Sequence, residues 1–460
     1  MSTNARTLVI LGASGDLAAR LLLPGLGQLL SVDDDVHIEL IGVGGTPITD
    51  EEWRERVTTS FAAGGATPSR VKRVLATTRF IHADATSADD LARVLAECSS
   101  PPALYFALPP AVTEAACAAL ATITLPHGTS LALEKPFGTD LRSARALNRR
   151  LATLVPEKQV HRVDHFLAKS TVLNLLGLRF ANRLFEQSWN STSIEKIEIH
   201  YEEDLGLESR AGYYDKAGAL IDMIQSHLLL VLAIVAMEPP STVDADDLRG
   251  AMAQALRATR VWGGDAAENS RRARYTGGTI NGRKLPAYAS EPGVDPERDT
   301  ETLAEITFAI DNWRWAGVPF VLRSGKALSG KKKDIIVTFR AVPHLPTGMT
   351  GAAASTQLCI SLDPDGMTLD LNINGEGDPF RLDQVTLGAN FGAGRLSAYG
   401  EVLSGFLAGD PTLSVRGDAA EECWRIVSPV LKAWRAGEVP LDTYRAGSHG
   451  PTAWKKPTVR

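Results

Sequence analysis

Leu8-Val9-Ile10-Leu11-Gly12-Ala13-Ser14-Gly15-Asp16-Leu17-Ala18 decides how the first third of this chain is read. Four successive apolar residues predict a strand buried on both faces of a parallel sheet. Gly12 to Asp16 then interrupts it, and the apolar face Leu17, Leu21, Leu22, Pro24, Leu26 and Leu29 predicts a helix. The spacing G-x-x-G-x-x-A puts bare backbone and a helix N-terminus where a dinucleotide pyrophosphate would lie. It is not the usual G-x-G-x-x-G, and the alternative to dinucleotide binding is an ordinary tight turn between strand and helix. Outward from this stretch, strands at 37–43, 78–82, 103–107 and 130–134 alternate with helices at 49–61, 88–97 and 111–120. That alternation predicts right-handed crossovers and a Rossmann-like doubly wound α/β sheet, assigned to residues 1–164.

Beyond residue 164 the texture changes. Apolar and polar residues alternate over 193–203 and 358–374, with further strand-like runs at 300–315 and 335–341. Long helices are predicted at 215–237 and 246–258, and 276–298 is the longest weakly periodic segment. Residues 165–460 therefore read as an α+β domain with a large, mostly antiparallel sheet. A length of 460 residues agrees with two or three domains. The net charge of −6 leaves no cationic excess for nucleic acid. Residues 228–237 form the longest apolar run, about half of what a bilayer span needs, so a core helix and no membrane are expected. Cys98, Cys117, Cys359 and Cys423 are scattered without metal-ligand or disulfide spacing. With no export signal, a cytoplasmic protein without a metal site is expected.

Three further blocks carry chemistry. Glu134-Lys135-Pro136-Phe137-Gly138 ends a strand at the carboxyl edge of the sheet, where Lys135 would either reach a ligand or sit in a surface turn. Arg162-Val163-Asp164-His165-Phe166-Leu167-Ala168-Lys169 lies at the expected domain junction, as a ligand cleft or a solvated charged turn. Asp222-Met223-Ile224-Gln225-Ser226-His227 precedes the apolar run, and His227 is either a core histidine or, with a carboxylate facing it, a general base.

Taken in order, these blocks resemble the glucose-6-phosphate dehydrogenase family. So do Tyr105-Phe106-Ala107-Leu108-Pro109-Pro110, Gly212-Tyr213-Tyr214-Asp215, Asn312 to Phe320, Leu322-Arg323-Ser324-Gly325-Lys326 and Tyr444-Arg445-Ala446-Gly447-Ser448. The resemblance implies oxidation of the C1 hydroxyl of glucose 6-phosphate to the 1,5-lactone, with hydride passing to NAD or NADP. By position it makes His227 the general base and Asp164 the carboxylate that orients it. Lys135, Glu203 and Asp222 match sugar-hydroxyl contacts, and His165, Lys169, Lys326 and Lys331 match contacts to the phosphate or its neighbouring hydroxyls. The nucleotide would meet Gly12, Ala13, Ser14, Gly15, Asp16, Leu17, Thr46, Pro109 and Lys135. A cis peptide before Pro136 and a homodimer or homotetramer formed through the large sheet are also implied.

Several positions depart from the family pattern. Phe166 replaces a tyrosine, Asp363 a glutamine, Ser170 a glutamate and Ile221 an arginine. An inward Asp363 would repel a phosphate, which leaves open a dehydrogenase for a non-phosphorylated or otherwise substituted hexose. A catalytically silent nucleotide-binding paralogue is the other alternative. Gly45 stands where members favouring NADP carry arginine, so NAD is expected to be used at least as well as NADP.

Overall fold

The computed structural model describes residues 6–208, 211–351, 353–392 and 394–454. Contacts divide the chain into two compact units that are not consecutive in sequence. The first combines Met1–Ser170, Pro240–Ala253 and Gly394–Trp424; the second holds the remainder. A single boundary between residues 164 and 165 therefore does not describe the two units.

Among its described residues the first unit is built on a six-stranded sheet: β1 (Arg6–Leu11), β2 (Ile38–Gly44), β3 (Arg79–His82), β4 (Pro102–Phe106), β5 (Ser130–Glu134) and β6 (Val160–Val163). All pairs are parallel, in the order β3-β2-β1-β4-β5-β6. Leu8 to Leu11 are buried, as a strand covered on both faces requires. The strand order reverses between β1 and β4, which opens a crevice at their carboxyl ends. Helices Pro68–Thr77 and Leu141–Leu154 add to those expected. So does β6, whose four residues include His161 and Arg162 and carry no strand periodicity. Arg162 is not part of a charged turn: it is buried and paired with Glu157 at 2.7 Å. The late helix Ala398–Ala408 completes this core by packing on Leu23–Val32, where a Cβ on Gly25 would lie 2.8 Å from the Gly400 nitrogen.

In the second unit the strands are β7 (Ile194–Glu202), β8 (Thr259–Val261), β9 (Ser270–Thr276), β10 (Gly278–Ile280), β11 (Arg283–Leu285), β12 (Leu303–Ile310), β13 (Phe320–Gly325), β14 (Lys332–Phe339), β15 (Gln357–Leu362), β16 (Asp365–Asn374), β17 (Leu382–Asn390) and β18 (Leu441–Arg445). The large sheet runs β17-β16-β15-β14-β7-β13-β12-β9-β18, with β8 on β12. Among the described strands of this sheet only β7 with β13 and β9 with β18 pair in parallel. The weakly periodic 276–298 contains the β10–β11 hairpin, and 358–374 is a hairpin rather than one strand, turning at the cis bond Asp363–Pro364.

The helix Ala211–Ala236 is long and apolar enough to cross a bilayer, yet 89% of its most apolar window is buried inside the protein. It is a core helix. It is also not continuous, because Gly218 breaks it with φ 66° and ψ 177°, and Leu220–Leu228 then takes π-helical geometry.

Candidate functional site

In the first unit the turn after β1 leaves the strand at Gly12, whose φ of +86° favours glycine. The Gly12 and Ala13 N–H groups both donate to Val43 O at 2.9 Å, which ties the turn to the end of β2. A Cβ on Gly12 would stand 2.3 Å from Ala107 O. Any side chain here would therefore fill the crevice between β1 and β4. This floor of bare backbone at a helix start fits a dinucleotide. Thr46 and Pro109 are exposed on the loops that follow β2 and β4.

At the end of β5 the Glu134 carboxylate accepts the Tyr105 hydroxyl at 2.5 Å and also that of Tyr399. Burial pushes Glu134 up to about 7, and the nearby charge of Asp164 acts in the same direction. The next peptide, Lys135–Pro136, is cis, as the resemblance implies. Asp164 is fully buried, and its Oδ1 accepts the Phe166 N–H at 3.1 Å. The His165 ring stacks on Tyr399 with centroids 5.6 Å apart. Lys169 places its Nζ 4.6 Å from the centre of the Phe166 ring, so the phenylalanine found in place of tyrosine holds a candidate phosphate ligand through its π face.

In the second unit Asp222 and His227 are buried on the π-helical turn Leu220–Leu228. A π-helix repeats its hydrogen bonds from i to i+5, so these two residues fall on one face, one turn apart. The turn is held from the loop before β12. Leu220 N–H donates to Glu301 Oε1 at 2.9 Å, Ala219 N–H to Glu301 O at 3.2 Å, and the Thr300 hydroxyl to Asp215 O at 2.6 Å. Burial pushes Glu301 up to about 7. The same strip reaches Lys326, whose N–H donates to Thr302 O at 2.9 Å. Lys326 Nζ in turn pairs with Glu203 at 2.7 Å and lies 5.2 Å from the centre of the Tyr214 ring. Lys331 is exposed and makes no hydrogen bond or ion pair among the described residues. Asp363, whose carboxylate is about half exposed, is paired with Lys333 at 3.0 Å, and Lys333 also lies 4.8 Å from the centre of the Tyr201 ring.

Residues 9–174 match the family model described as glucose-6-phosphate dehydrogenase, NAD binding domain, and residues 176–459 match the C-terminal domain of the same family. The chain belongs to the glucose-6-phosphate dehydrogenase family. It is 38% identical to the glucose-6-phosphate 1-dehydrogenase of Treponema pallidum, over 97% of this chain and 92% of that protein. It is 37% identical to that of Mycolicibacterium smegmatis, over 96% and 94%. The crystal structure of the enzyme from Mycobacterium avium is similar with a TM-score of 0.84 at 35% identity, covering all of both chains. A glucose-6-phosphate dehydrogenase solved in complex with glucose 6-phosphate is similar with a TM-score of 0.88 at 28% identity, over 98% of this chain and 97% of that one. This is a family of oxidoreductases whose first domain binds a nicotinamide nucleotide.

Within this family's two domains the expected residues fall into two sets. The turn, Lys135, Asp164, His165 and Lys169 lie in the first unit; Glu203, Asp222, His227, Lys326 and Lys331 lie in the second. Sequence reading missed Tyr399, Glu301 and Lys333. Tyr399 lies 265 residues from its partner Glu134, a separation that no local pattern records. Lys333 is the third of three successive lysines, a run that could have flagged it, but it precedes the strand expected at 335–341 and its pairing with Asp363 depends on the register.

Proposed function

We propose that this chain oxidises the C1 hydroxyl of glucose 6-phosphate to 6-phosphoglucono-1,5-lactone, with the first unit holding the nucleotide and the second the sugar. The observation that carries the reading is the buried pair Asp222 and His227 on one face of a π-turn, tied through residues 300–302 to the Lys326–Glu203 pair. A polar cluster of this kind in an apolar unit supplies acceptors and donors for sugar hydroxyls. His227 takes the C1 hydroxyl proton as the C–O bond gains double-bond character and the C1 hydrogen leaves with its electron pair. Accepting that hydride is the chemistry a bound nicotinamide supplies. The family resemblance is what gives Asp164 the orienting role, and an ionised carboxylate in that role stabilises an imidazolium.

The Lys333–Asp363 pair supports a phosphorylated substrate. It offsets the negative charge that would otherwise oppose a phosphate, while Lys326 and Lys331 of the same unit supply cations. The nucleotide is NAD or NADP, and the open position at Gly45 supports NAD or dual use. Steady-state assays of glucose 6-phosphate and glucose with each nucleotide test the reading. His227→Asn is expected to lower kcat about a hundredfold to ten-thousandfold with the nucleotide KM little changed. Unchanged turnover in that variant, or equal efficiency on glucose, contradicts it.

Self-association through the large sheet belongs to the same proposal. The β16–β17 hairpin sets Leu369 opposite Leu387 and Leu371 opposite Val385, and Leu387 is 54% exposed. An apolar stripe of this kind on an edge hairpin suits a second copy of the chain.

A further inference from the structure

We propose that Arg56 is the group that admits a 2′-phosphate, so that the chain accepts NADP as well as NAD although Gly45 stands where the family's arginine is expected. The proposal rests on the nucleotide reading above and concerns one corner of the first unit. In doubly wound sheets the end of the second strand meets the adenosine ribose, and an arginine near it accommodates the 2′-phosphate. Here β2 ends at Gly44. A Cβ on Gly44 would lie 3.1 Å from Ser14 Oγ, so the hydroxyl of the glycine turn faces the strand end. Gly45 is exposed, with nothing within 4 Å of the place its Cβ would take. The His82 ring also reaches this corner, with Nε2 3.0 Å from Gly45 O.

Arg56 reaches this corner from the helix Asp50–Ala63. Its Nη1 donates to Ser14 O at 2.6 Å. The helix is fixed at its start by a reciprocal cap between Thr49 and Glu52. Trp53 fixes its rotation: the indole is buried, its Nε1 donates to Thr78 Oγ1 at 2.8 Å, and a Cβ on Gly42 would meet its ring at 2.7 Å. Three residues on, Arg56 shares that helix face and so points to the turn. Two acids of the helix's first turn are engaged elsewhere, Glu52 with Thr49 N–H and Asp50 with Phe80 N–H. The partner of Arg56 here is a neutral carbonyl, and among the described residues no ion pair of Arg56 offsets the guanidinium charge. Its remaining N–H groups form the planar fork that matches a phosphate.

The test compares the wild type, Arg56→Ala, and Arg56→Ala combined with Gly45→Arg. The readouts are kcat/KM for NAD and for NADP, and calorimetric binding of adenosine 2′,5′-bisphosphate against adenosine 5′-monophosphate. The wild type is expected to turn over NADP and to bind the bisphosphate more tightly than the monophosphate. Arg56→Ala is expected to lower kcat/KM for NADP about tenfold to a hundredfold and to abolish the bisphosphate advantage, with NAD kinetics within about twofold. Gly45 lies outside the left-handed region and has open space, so the added arginine is expected to restore NADP use. Equal losses with both nucleotides, or a bisphosphate advantage that survives Arg56→Ala or is absent from the wild type, overturns the proposal. A wild type inactive with either nucleotide counts against the dehydrogenase reading, while the binding comparison still decides Arg56.

Discussion

The first unit holds two buried titratable groups whose environments oppose one another. His161 is buried, its ring edge-on to Phe406 and its Nδ1 3.2 Å from the Ser414 hydroxyl, and burial lowers it from 6.5 to about 3. The folded chain keeps this ring neutral while the unfolded chain protonates it. Its contribution is complete above about pH 6.5 and falls by at most ~1.4 kcal/mol per pH unit as pH drops toward 3. Glu134, raised from 4.5 to about 7, has the opposite sign: its contribution is complete below 4.5 and is lost as pH rises through 7. In urea unfolding, the stability advantage of wild type over His161→Gln is therefore expected to shrink steadily between pH 6.5 and 4. A pH-independent difference would mean that His161 is charged or solvated in the fold. With Lys333→Ala, Asp363 loses this partner, and KM for glucose 6-phosphate is expected to rise a few-fold with nucleotide KM unchanged. Asp363→Asn in that background is expected to reverse the rise, as kinetics on the two variants would show.

Among the elements, the broken helix Ala211–Ala236 sets the sugar half. Gly218 holds a backbone conformation that side chains rarely adopt, and a Cβ there would strike the Glu301 carboxylate at 2.3 Å. Gly218→Ala is expected to destabilise the protein by about 2 kcal/mol or more in denaturant unfolding, through strain and loss of the cap. Glu301→Gln keeps an acceptor for Leu220 N–H and is expected to retain sugar KM and kcat. Glu301→Asp, one methylene short, is expected to lower kcat/KM for the sugar about tenfold. The break and the π-turn were not legible beforehand, because the apolar pattern from 215 to 237 is continuous and π-geometry follows from what the loop at 300–302 donates and accepts. Strands β1 and β4 were legible from uninterrupted apolar runs, and β2 from a run broken only by Glu39. β6 was not, since a buried arginine paired with Glu157 looks like a surface residue in sequence. Asp222 and His227 were legible as neighbours only in the sense that both precede an apolar run; their common face depends on the π-turn.

For the whole molecule, the expected α/β and mostly antiparallel α+β layers are both present, but the first is not built from the N-terminal third alone. The residue types of the site were visible in sequence, and their grouping came from the ordered resemblance rather than from spacing. The apolar hairpin face yields a prediction here: Leu387→Asp is expected to lower the mass seen in sedimentation equilibrium, with the fold retained by circular dichroism. An unchanged mass removes this face from the interface.

The helix Ala398–Ala408 has a consequence for synthesis. It covers the apolar side of Leu23–Val32 and brings Tyr399 to Glu134 and His165, yet it is encoded far downstream of β6, which ends at Val163. A ribosome that has emitted the entire parallel sheet has still not emitted the segment that seals it. The nascent nucleotide unit therefore waits, with an apolar flank open to chaperones, through more than two hundred further residues. A message truncated anywhere before residue 398 yields no finished domain.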